Sequence, residues 1–429
     1  MDQDKHWRDR LDYTMLFLVF LLIVISLMAI YAGTTTQYVR EGMYEELRHV
    51  YALSQARWVI IGIFVMIIVI AVDYEYLKYL TIPLYSFGML LLLIVEFFGY
   101  TNNGATRWIE WNNRGIYQPS EIMKIILVLA LAHLVFVLNK RYSEKSMKHD
   151  LIKLGFIAAV SLPPFFLVLK QPDLGSALVL FSIVAVAILV SNMSFKMLGI
   201  LAGLAAAAIA FVFYMFFNYV DLLISLEILE PHQLERIYGW LYPEQYASSY
   251  AMQTLSATRG IGSGQLLGTG FLNSVQAANA SIPEMHTDFI FAVIGEEFGF
   301  IGSTIVICIF FLLIYRMVML AMACKDLYGT YIIAGIAGML TFQIFQNIAM
   351  TIGLMPVTGI ALPFISYGGS AFMTNMIAVG IVINIGMRQK SYMFEATRQD
   401  AELRAPYTPL QSARKFRNKK NGQDPSPAK

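Results

Sequence analysis

The sequence predicts an all-α integral membrane protein that crosses the bilayer about ten times. Of its 429 residues, 57% are hydrophobic and only 14% are charged, and the mean hydropathy is +0.60. A soluble chain of this length would carry about a quarter charged residues. The net charge of +2 gives no argument for nucleic acid binding.

Ten apolar segments are candidates for transmembrane helices, because a helix needs roughly 20 apolar residues to cross a bilayer. The first, 14–33, is as long as a span and no small-residue cleavage pattern follows it, so we expect it to stay in the protein. The fifth contains Pro163-Pro164, which predicts a kink or a break. The ten predicted spans are 14–33, 57–72, 80–100, 119–138, 154–170, 176–194, 197–217, 299–317, 329–352 and 367–387.

Basic residues predict the orientation, since lysine and arginine are enriched in short cytoplasmic loops. With ten spans, the basic residues named at the end of this paragraph all fall on one side, which places both termini in the cytoplasm. The longest loop, 218–298 between helices 7 and 8, is then extracellular. Within it, 288–297 is apolar but too short to span, so we expect a short helix at or dipping into the outer surface. The basic residues are Lys5, Arg8, Arg10, Lys140, Arg141, Lys145, Lys148, Lys153, Arg316, Lys325, Arg388 and Lys390.

The chain divides into a ten-helix membrane domain, 1–390, and a tail, 391–429. The tail is polar and basic and ends in Asp-Pro-Ser-Pro before its last two residues. Such a composition cannot bury enough apolar surface to fold, so we expect a disordered cytoplasmic segment.

Motifs of several common site types are absent from the sequence. There is no His-Glu-x-x-His, no cysteine or histidine cluster with zinc spacing, and no Gly-x-Ser-x-Gly elbow. Cys308 and Cys324 lie in or at the end of apolar runs, which does not suggest a disulfide framework. The glycine cluster at 260–270 lacks the lysine of a phosphate loop. Its backbone could still bind a lipid pyrophosphate, although a flexible loop is the simpler interpretation.

Ionisable residues at membrane depth are candidates for function, because placing charge there is costly. Glu121 and Lys124 are three residues apart at the start of a span and could pair on one helix face. A pair that merely neutralises itself is the alternative. Asp173 lies in a tight turn between two spans, where turn capping is the alternative. Glu296 and Glu297 could simply end the short helix in water.

The segment 356–370 is unusual for a membrane protein. It contains two prolines and three glycines in an apolar setting, which predicts non-helical backbone before the last span. Irregular backbone at this depth is tolerated only where protein or a wet cavity surrounds it. The segment is therefore expected to be re-entrant and to line a site.

The stretch 285–291 places Asp288 beside His286 at the edge of an apolar run. The simplest local interpretation is that Thr287 or Asp288 caps a helix, since short oxygen-bearing side chains satisfy free N–H groups at helix starts. The predicted topology places this stretch outside the membrane, at the base of the longest loop.

Several of these segments resemble motifs of the SEDS family (shape, elongation, division and sporulation). The resemblance covers all ten predicted spans in order, and the stretch 347–359 is closer to the RodA branch than to the FtsW branch. The motifs are Gly104-Ala105-Thr106-Arg107-Trp108-Ile109, Gln118-Pro119-Ser120-Glu121, Lys-Gln-Pro-Asp-Leu-Gly-Ser-Ala at 170–177, His-Thr-Asp-Phe-Ile-Phe at 286–291, Gly-Glu-Glu-Phe-Gly-Phe at 295–300 and Pro-Phe-Ile-Ser-Tyr-Gly-Gly-Ser at 363–370.

The resemblance implies a peptidoglycan glycosyltransferase of the bacterial cytoplasmic membrane. Such an enzyme polymerises lipid II into glycan strands on the outer face, for cell elongation and shape. The family's partner is a class B penicillin-binding protein, a transpeptidase. The family's essential aspartate falls on Asp288, the candidate general base. Its other polar positions fall on Arg107, Glu121, Lys124 and Asp173, and we add Lys170, His286 and Ser366 as substrate-binding candidates.

Two other functions remain open at this stage: a lipid II flippase or transporter, and a non-catalytic scaffold for a penicillin-binding protein. Broken helices and charges at membrane depth also suit a transporter. A divalent cation, Mg²⁺ or Mn²⁺, is compatible with a diphosphate substrate, but its ligands are unknown. The chain departs from the family pattern at Gln265, Ala361 and Ala371, and this leaves room for a specialised paralogue.

Overall fold

The computed structural model describes residues 11–40, 49–102, 105–111, 114–220, 224, 231–243, 245, 249–274 and 285–388. Gly104, the basic residues Lys5, Arg8, Arg10 and Lys390, and the predicted tail lie outside these ranges. The disorder of the tail and the division into 1–390 and 391–429 therefore stay predictions.

Within the described residues the chain forms twelve α-helices. Nine of them are long and apolar enough to cross a membrane, and α6 is a shorter apolar helix at the position of the sixth predicted span. The all-α, multi-span prediction is therefore confirmed. The helices are α1 (Tyr13–Arg40), α2 (Val50–Ala71), α3 (Leu77–Phe98), α4 (Pro119–Arg141), α5 (Met147–Lys170), α6 (Leu174–Val190), α7 (Phe195–Asn218), α8 (Pro231–Leu241), α9 (Ser249–Gly264), α10 (Ile290–Ala323), α11 (Leu327–Thr351) and α12 (Gly369–Met387).

Helix α5 runs through Pro163 and Pro164, so of the predicted kink or break the break is absent. A proline removes one helical hydrogen bond and leaves the carbonyl four residues earlier without its donor. For Pro164 that carbonyl belongs to Val160, and the Tyr85 hydroxyl of α3 donates to it at 2.7 Å. A neighbouring helix thus replaces the lost bond, as is common in membrane helices.

Ion pairs hold several helix ends together on one side of the molecule. Asp12, before α1, pairs with Arg316 near the end of α10 at 2.7 Å. Arg388, after α12, lies 3.3 Å from Asp73 between α2 and α3. Asp326, at the start of α11, pairs with Lys78. These groupings agree with the topology predicted from basic residues; the identity of this side as cytoplasmic stays a prediction.

The link between α3 and α4 contains a small antiparallel sheet that the sequence did not suggest. Its strands are β1 (Tyr100–Asn102), β2 (Ala105–Trp111) and β3 (Arg114–Tyr117), in the order β1-β2-β3. Because β3 runs directly into α4, the sheet sets the position of β2, and therefore of Arg107, near the first turn of that helix.

Helix α10 is two helices that meet at a break. Gly299 has φ +64° and ψ −159°, which separates a short N-terminal helix from a long span. The short helix predicted over 288–297 therefore exists, and it is buried inside the protein; its position at the outer membrane surface stays a prediction. Ile290 to Glu297 are all buried, since α1 and α9 pack around them. The expectation that Glu296 and Glu297 end a helix in water is wrong, because they are only 2% and 1% exposed.

Helix α7 lies at the edge of the bundle. Among its residues only Met197 and Phe216 are buried. A helix that is apolar on all sides yet exposed suits a lipid environment.

Candidate functional site

The segment 352–368 between α11 and α12, here named the floor segment, lies beside Asp288. It is non-helical and largely buried, as predicted. Its backbone reaches positive φ at Gly353, Gly359 and, unusually for a large side chain, at Phe364 (65°). Ser366 is 4% exposed, and its hydroxyl accepts from the Leu362 amide at 2.7 Å. Ser366 therefore stabilises a turn in this segment, and its geometry does not favour a role in binding substrate.

Asp288 is half-buried beside this segment. A Cβ placed on Gly359 would stand 3.4 Å from Asp288 Oδ2, and Gly359 has φ +72°, a conformation that favours glycine. The N-cap position of α10 falls on Phe289, which makes no side-chain cap bond. Thr287 and Asp288 therefore lie just before the N-cap position, and capping by either side chain stays a prediction.

Asn347 of α11 ties Asp288 to the floor segment. This residue is fully buried, and its Nδ2 donates to the carbonyls of Asp288 and Ile360 at 2.7 Å each. One amide group therefore fixes the backbone on both sides of the carboxylate. Asn347 is not among the site residues predicted from sequence, although a polar side chain inside an apolar helix is a signal of function or interhelical contact.

His286 lies within an aromatic group. Its ring centroid is 4.3 Å from that of Tyr51 and 5.5 Å from that of Tyr367, and its carbonyl accepts from the Tyr367 amide at 2.9 Å. Burial raises the pKa of Tyr367, so this phenol stays neutral at physiological pH. These contacts suit a residue that holds the 286–288 stretch in place.

Asp173 acts both as a cap and as the centre of a polar cluster. Its Oδ1 accepts from the Ser176 amide at 3.1 Å, which caps α6, and its Oδ2 accepts from Gln118 Nε2 at 2.8 Å. Ser120 donates to the same oxygen at 3.2 Å. Arg107 Nη1 lies 3.8 Å from Oδ1. The capping interpretation of Asp173 is therefore confirmed, its role in binding substrate stays a prediction, and the first turns of α4 and α6 are joined.

Glu121 and Lys124 form the predicted pair on α4, with Lys124 Nζ 2.7 Å from Glu121 Oε1. The lysine side chain is 2% exposed and that of the glutamate 10%. Burial, together with the nearby negative charge of Glu121, raises the pKa of Tyr117 at the end of β3. A neutral phenol thus lies close to the pair.

Contacts through the floor segment bring these groups together. A Cβ on Gly175 would stand 2.7 Å from the carbonyl of Thr358, so the segment passes directly against the start of α6. The next residue, Gly359, faces Asp288. The Gln118 amide donates to Ser370 at 3.2 Å, which joins α4 to α12. Four motif regions distant in sequence, 118–124, 173–176, 286–288 and 358–370, therefore converge.

Lys170 is not part of this convergence. Its Nζ pairs with Glu96 of α3 at 2.7 Å, and its side chain is 69% exposed. This placement does not support a role beside Asp288.

A family model described as "Cell cycle protein", which names FtsW, RodA and SpoVE, matches residues 13–391. The chain is 31% identical to stage V sporulation protein E of Bacillus subtilis, over 85% of this chain and 96% of that protein. It is 30% identical to the peptidoglycan glycosyltransferase MrdB of Escherichia coli, over 89% and 94%.

Solved structures show the same fold. A chain of a peptidoglycan synthase complex that coordinates polymerization and crosslinking superposes with a TM-score of 0.69 and 28% identity, covering 89% of this chain and 99% of that one. The rod shape determining protein RodA of Thermus thermophilus gives a TM-score of 0.62 with 26% identity, over 89% and 98%. The chain is therefore a multi-pass bacterial membrane protein of the FtsW, RodA and SpoVE family, the SEDS family.

Proposed function

We propose that this protein is a peptidoglycan glycosyltransferase that polymerises lipid II into glycan strands on the outer face of the cytoplasmic membrane. The observation that carries the proposal is the convergence of motif regions on the segment 358–370, beside which the half-buried Asp288 lies. Relatives named as peptidoglycan glycosyltransferases support it over nearly their whole length.

Asp288 is the general base in this proposal. The reaction joins a sugar hydroxyl to an anomeric carbon, so the attacking hydroxyl must lose its proton while the lipid diphosphate leaves. A positioned base contributes about 10²–10⁴-fold to such a step. Asn347 donates both to the backbone carbonyl of Asp288 and to that of Ile360 in the floor segment, which favours a fixed base over a mobile surface carboxylate.

Arg107 is a better candidate than Lys124 for binding the departing diphosphate. Its side chain is 28% exposed and its contact with Asp173 is loose, at 3.8 Å. Lys124 is 2% exposed and bonded to Glu121 at 2.7 Å, so it reaches a ligand only if that pair opens. Arginine also matches a phosphate with two parallel N–H groups. The Glu121–Lys124 pair then acts electrostatically on the site from a fixed position.

A divalent cation fits only if the substrate supplies most of its ligands. Among the described residues no three His, Cys, Asp or Glu side chains come together as a metal site. Mg²⁺ is often bound by one or two carboxylates and the oxygens of a phosphate substrate. Chelation followed by Mg²⁺ or Mn²⁺ addition tests this directly: turnover that is lost and then restored supports a cation, and turnover unaffected by chelation contradicts it.

The RodA-like branch and a class B penicillin-binding protein partner complete the proposal. RodA of Treponema pallidum is 30% identical over 98% of its length, but relatives of the FtsW branch match almost equally. The branch therefore rests on the 347–359 stretch. The partner rests on the similarity to a chain of a peptidoglycan synthase complex.

Purified protein given lipid II in detergent tests the function. We expect glycan polymer, seen as a ladder of products on a gel, from the wild-type chain alone or with its transpeptidase partner. A sample pretreated with a chelator serves as the test of metal dependence.

Other outcomes would identify the alternatives. Movement of lipid II across liposomes without polymer would favour a flippase. A partner complex that forms and supports growth equally well with Asp288→Asn would favour a scaffold.

A further inference from the structure

The break in α10 leaves buried backbone groups without helical partners. Gly299 is in the left-handed region, φ +64°, where L side chains are disfavoured. Around such a break the carbonyls before it and the N–H groups after it lose their i to i+4 bonds. Buried groups of this kind must find other partners.

The loop 265–270, which follows α9, supplies those partners. Before the break, the amides of Thr269 and Gly270 donate to the carbonyls of Glu296 at 2.9 Å and Glu297 at 3.2 Å. After the break, the amides of Phe300 and Ile301 donate to the carbonyls of Gln265 at 2.9 Å and Leu266 at 3.2 Å. The loop therefore bridges the two halves of α10 with two hydrogen bonds on each side.

This contact is so close that only glycine fits. A Cβ on Gly268 would stand 2.0 Å from the Glu297 carbonyl oxygen, and one on Gly264 would stand 2.1 Å from that of Gly295. A Cβ on Gly299 would stand 2.4 Å from the Gly268 nitrogen. The glycine cluster, read from sequence as a lipid-pyrophosphate loop or a flexible loop, has a backbone-packing role in the structure.

The bridged helix leads directly to Asp288. Ala292 and Val293, in its first turn, pack with Met285 and Phe289 and with Ala257 of α9. These residues form a buried cluster separate from the main core. The last residues of the helix are fixed by the 265–270 loop. The short helix is thus held at both ends, and Asp288 immediately precedes it.

We propose that Gly264, Gly268 and Gly299 are positioning residues that set the location of the Asp288 carboxylate through the short helix of α10. This inference rests on the proposed function, because it assigns these glycines to the same site. A base displaced by about 1 Å can lose about 10²-fold in rate even when substrate still binds.

Gly268→Ala tests the proposal, with Gly262→Ala as the matched control. Gly262 lies in α9, and apart from its own helix backbone no described atom lies within 4 Å of where its Cβ would stand. We expect Gly268→Ala to lower kcat by about 10²-fold with KM for lipid II changed by less than about threefold, per folded molecule. Gly262→Ala should match wild type in both constants.

Hydrogen–deuterium exchange gives a readout that does not depend on activity. In Gly268→Ala the amides of Thr269, Gly270, Phe300 and Ile301 should exchange faster, together with peptides covering 285–289. If Gly268→Ala does not yield folded protein, Gly270→Ala replaces it. There the φ of +98° is strained for alanine, but the closest atom, Asn273 Nδ2, is 3.1 Å from the new Cβ.

Faster exchange confined to 265–301 together with a fall in kcat supports the proposal. Faster exchange in 265–301 with a wild-type kcat overturns the proposal. A loss of activity that is seen only as a higher KM overturns it too. Amide exchange in Gly268→Ala, or in Gly270→Ala if that variant replaces it, at the wild-type rate also overturns the proposal. If wild-type protein makes no polymer, the proposed function fails, whereas the exchange data still decide whether the loop holds the short helix.

Discussion

Single polar side chains decide where the reactive carboxylate stands. Asn347 is the clearest case: it is fully buried, and both hydrogens of its amide are used on carbonyls of the 286–288 stretch and the floor segment. A carbonyl buried without a donor costs about 1–3 kcal/mol. The two bonds therefore stabilise the fold and also fix the position of Asp288.

Asn347→Leu should destabilise the protein by about 2–5 kcal/mol, since two buried carbonyls lose their donor. It should also lower kcat for lipid II, because the 286–288 stretch is released. Thermal unfolding in detergent and steady-state kinetics measure the two effects.

Gln343→Leu is the control for this substitution. Gln343 lies one turn earlier on α11, is 3% exposed, and its Oε1 has no hydrogen-bond partner among the described residues. Its removal should leave stability unchanged or slightly raised. An Asn347→Leu variant as stable and active as Gln343→Leu would contradict the positioning role of Asn347.

At the scale of elements, α4 and α6 show why sequence left their charged residues ambiguous. Asp173 caps α6 and also binds Gln118 and Ser120, so the structural and functional interpretations were never exclusive. The length of the apolar stretch predicted the short helix at the start of α10. Its burial was not predicted, because burial depends on α1 and α9, which pack against it from distant parts of the chain.

The Glu121–Lys124 pair permits a test of structure against function. Lys124→Met leaves Glu121 buried without its cation, which should cost about 3–5 kcal/mol. The double variant Glu121→Gln, Lys124→Met removes both charges and should recover most of that loss, as thermal unfolding would show.

If the pair serves the site, the double variant should still polymerise lipid II at least about tenfold more slowly than wild type, a loss of about 1.4 kcal/mol in transition-state stabilisation. Wild-type turnover in a double variant of restored stability would show that the pair only neutralises itself.

At the scale of the whole molecule, hydropathy and basic residues were enough to predict the ten-span plan and the grouping of helix ends. They could not predict the three-stranded sheet, whose short strands carry little periodicity. Nor could they place Lys170, which sits beside Asp173 in sequence but turns to Glu96 in the fold. Convergence of the four motif regions depends on tertiary contacts through residues such as Gly175 and Gly359, which a sequence alone does not display.

The orientation can be tested with single cysteines in a Cys308→Ser, Cys324→Ser background. Both native cysteines are free. Lys145→Cys, in the loop between α4 and α5, should react with a membrane-impermeant maleimide only after the cells are permeabilised. Tyr242→Cys, in the long loop and 43% exposed, should react in intact cells. The reverse pattern would invert the topology and place Asp288 on the wrong side for an outer-face polymerase.

Asp288 is the proposed base of the glycosyltransferase site. The most direct test of this role compares lipid II polymerisation by wild type, Asp288→Asn and the surface control Glu144→Gln, each shown to be folded by its thermal unfolding profile. We predict that Asp288→Asn loses about 10²–10⁴-fold in rate while its unfolding temperature and partner binding are kept, and that Glu144→Gln matches wild type. Polymerisation at the wild-type rate by folded Asp288→Asn would show that Asp288 is not the base.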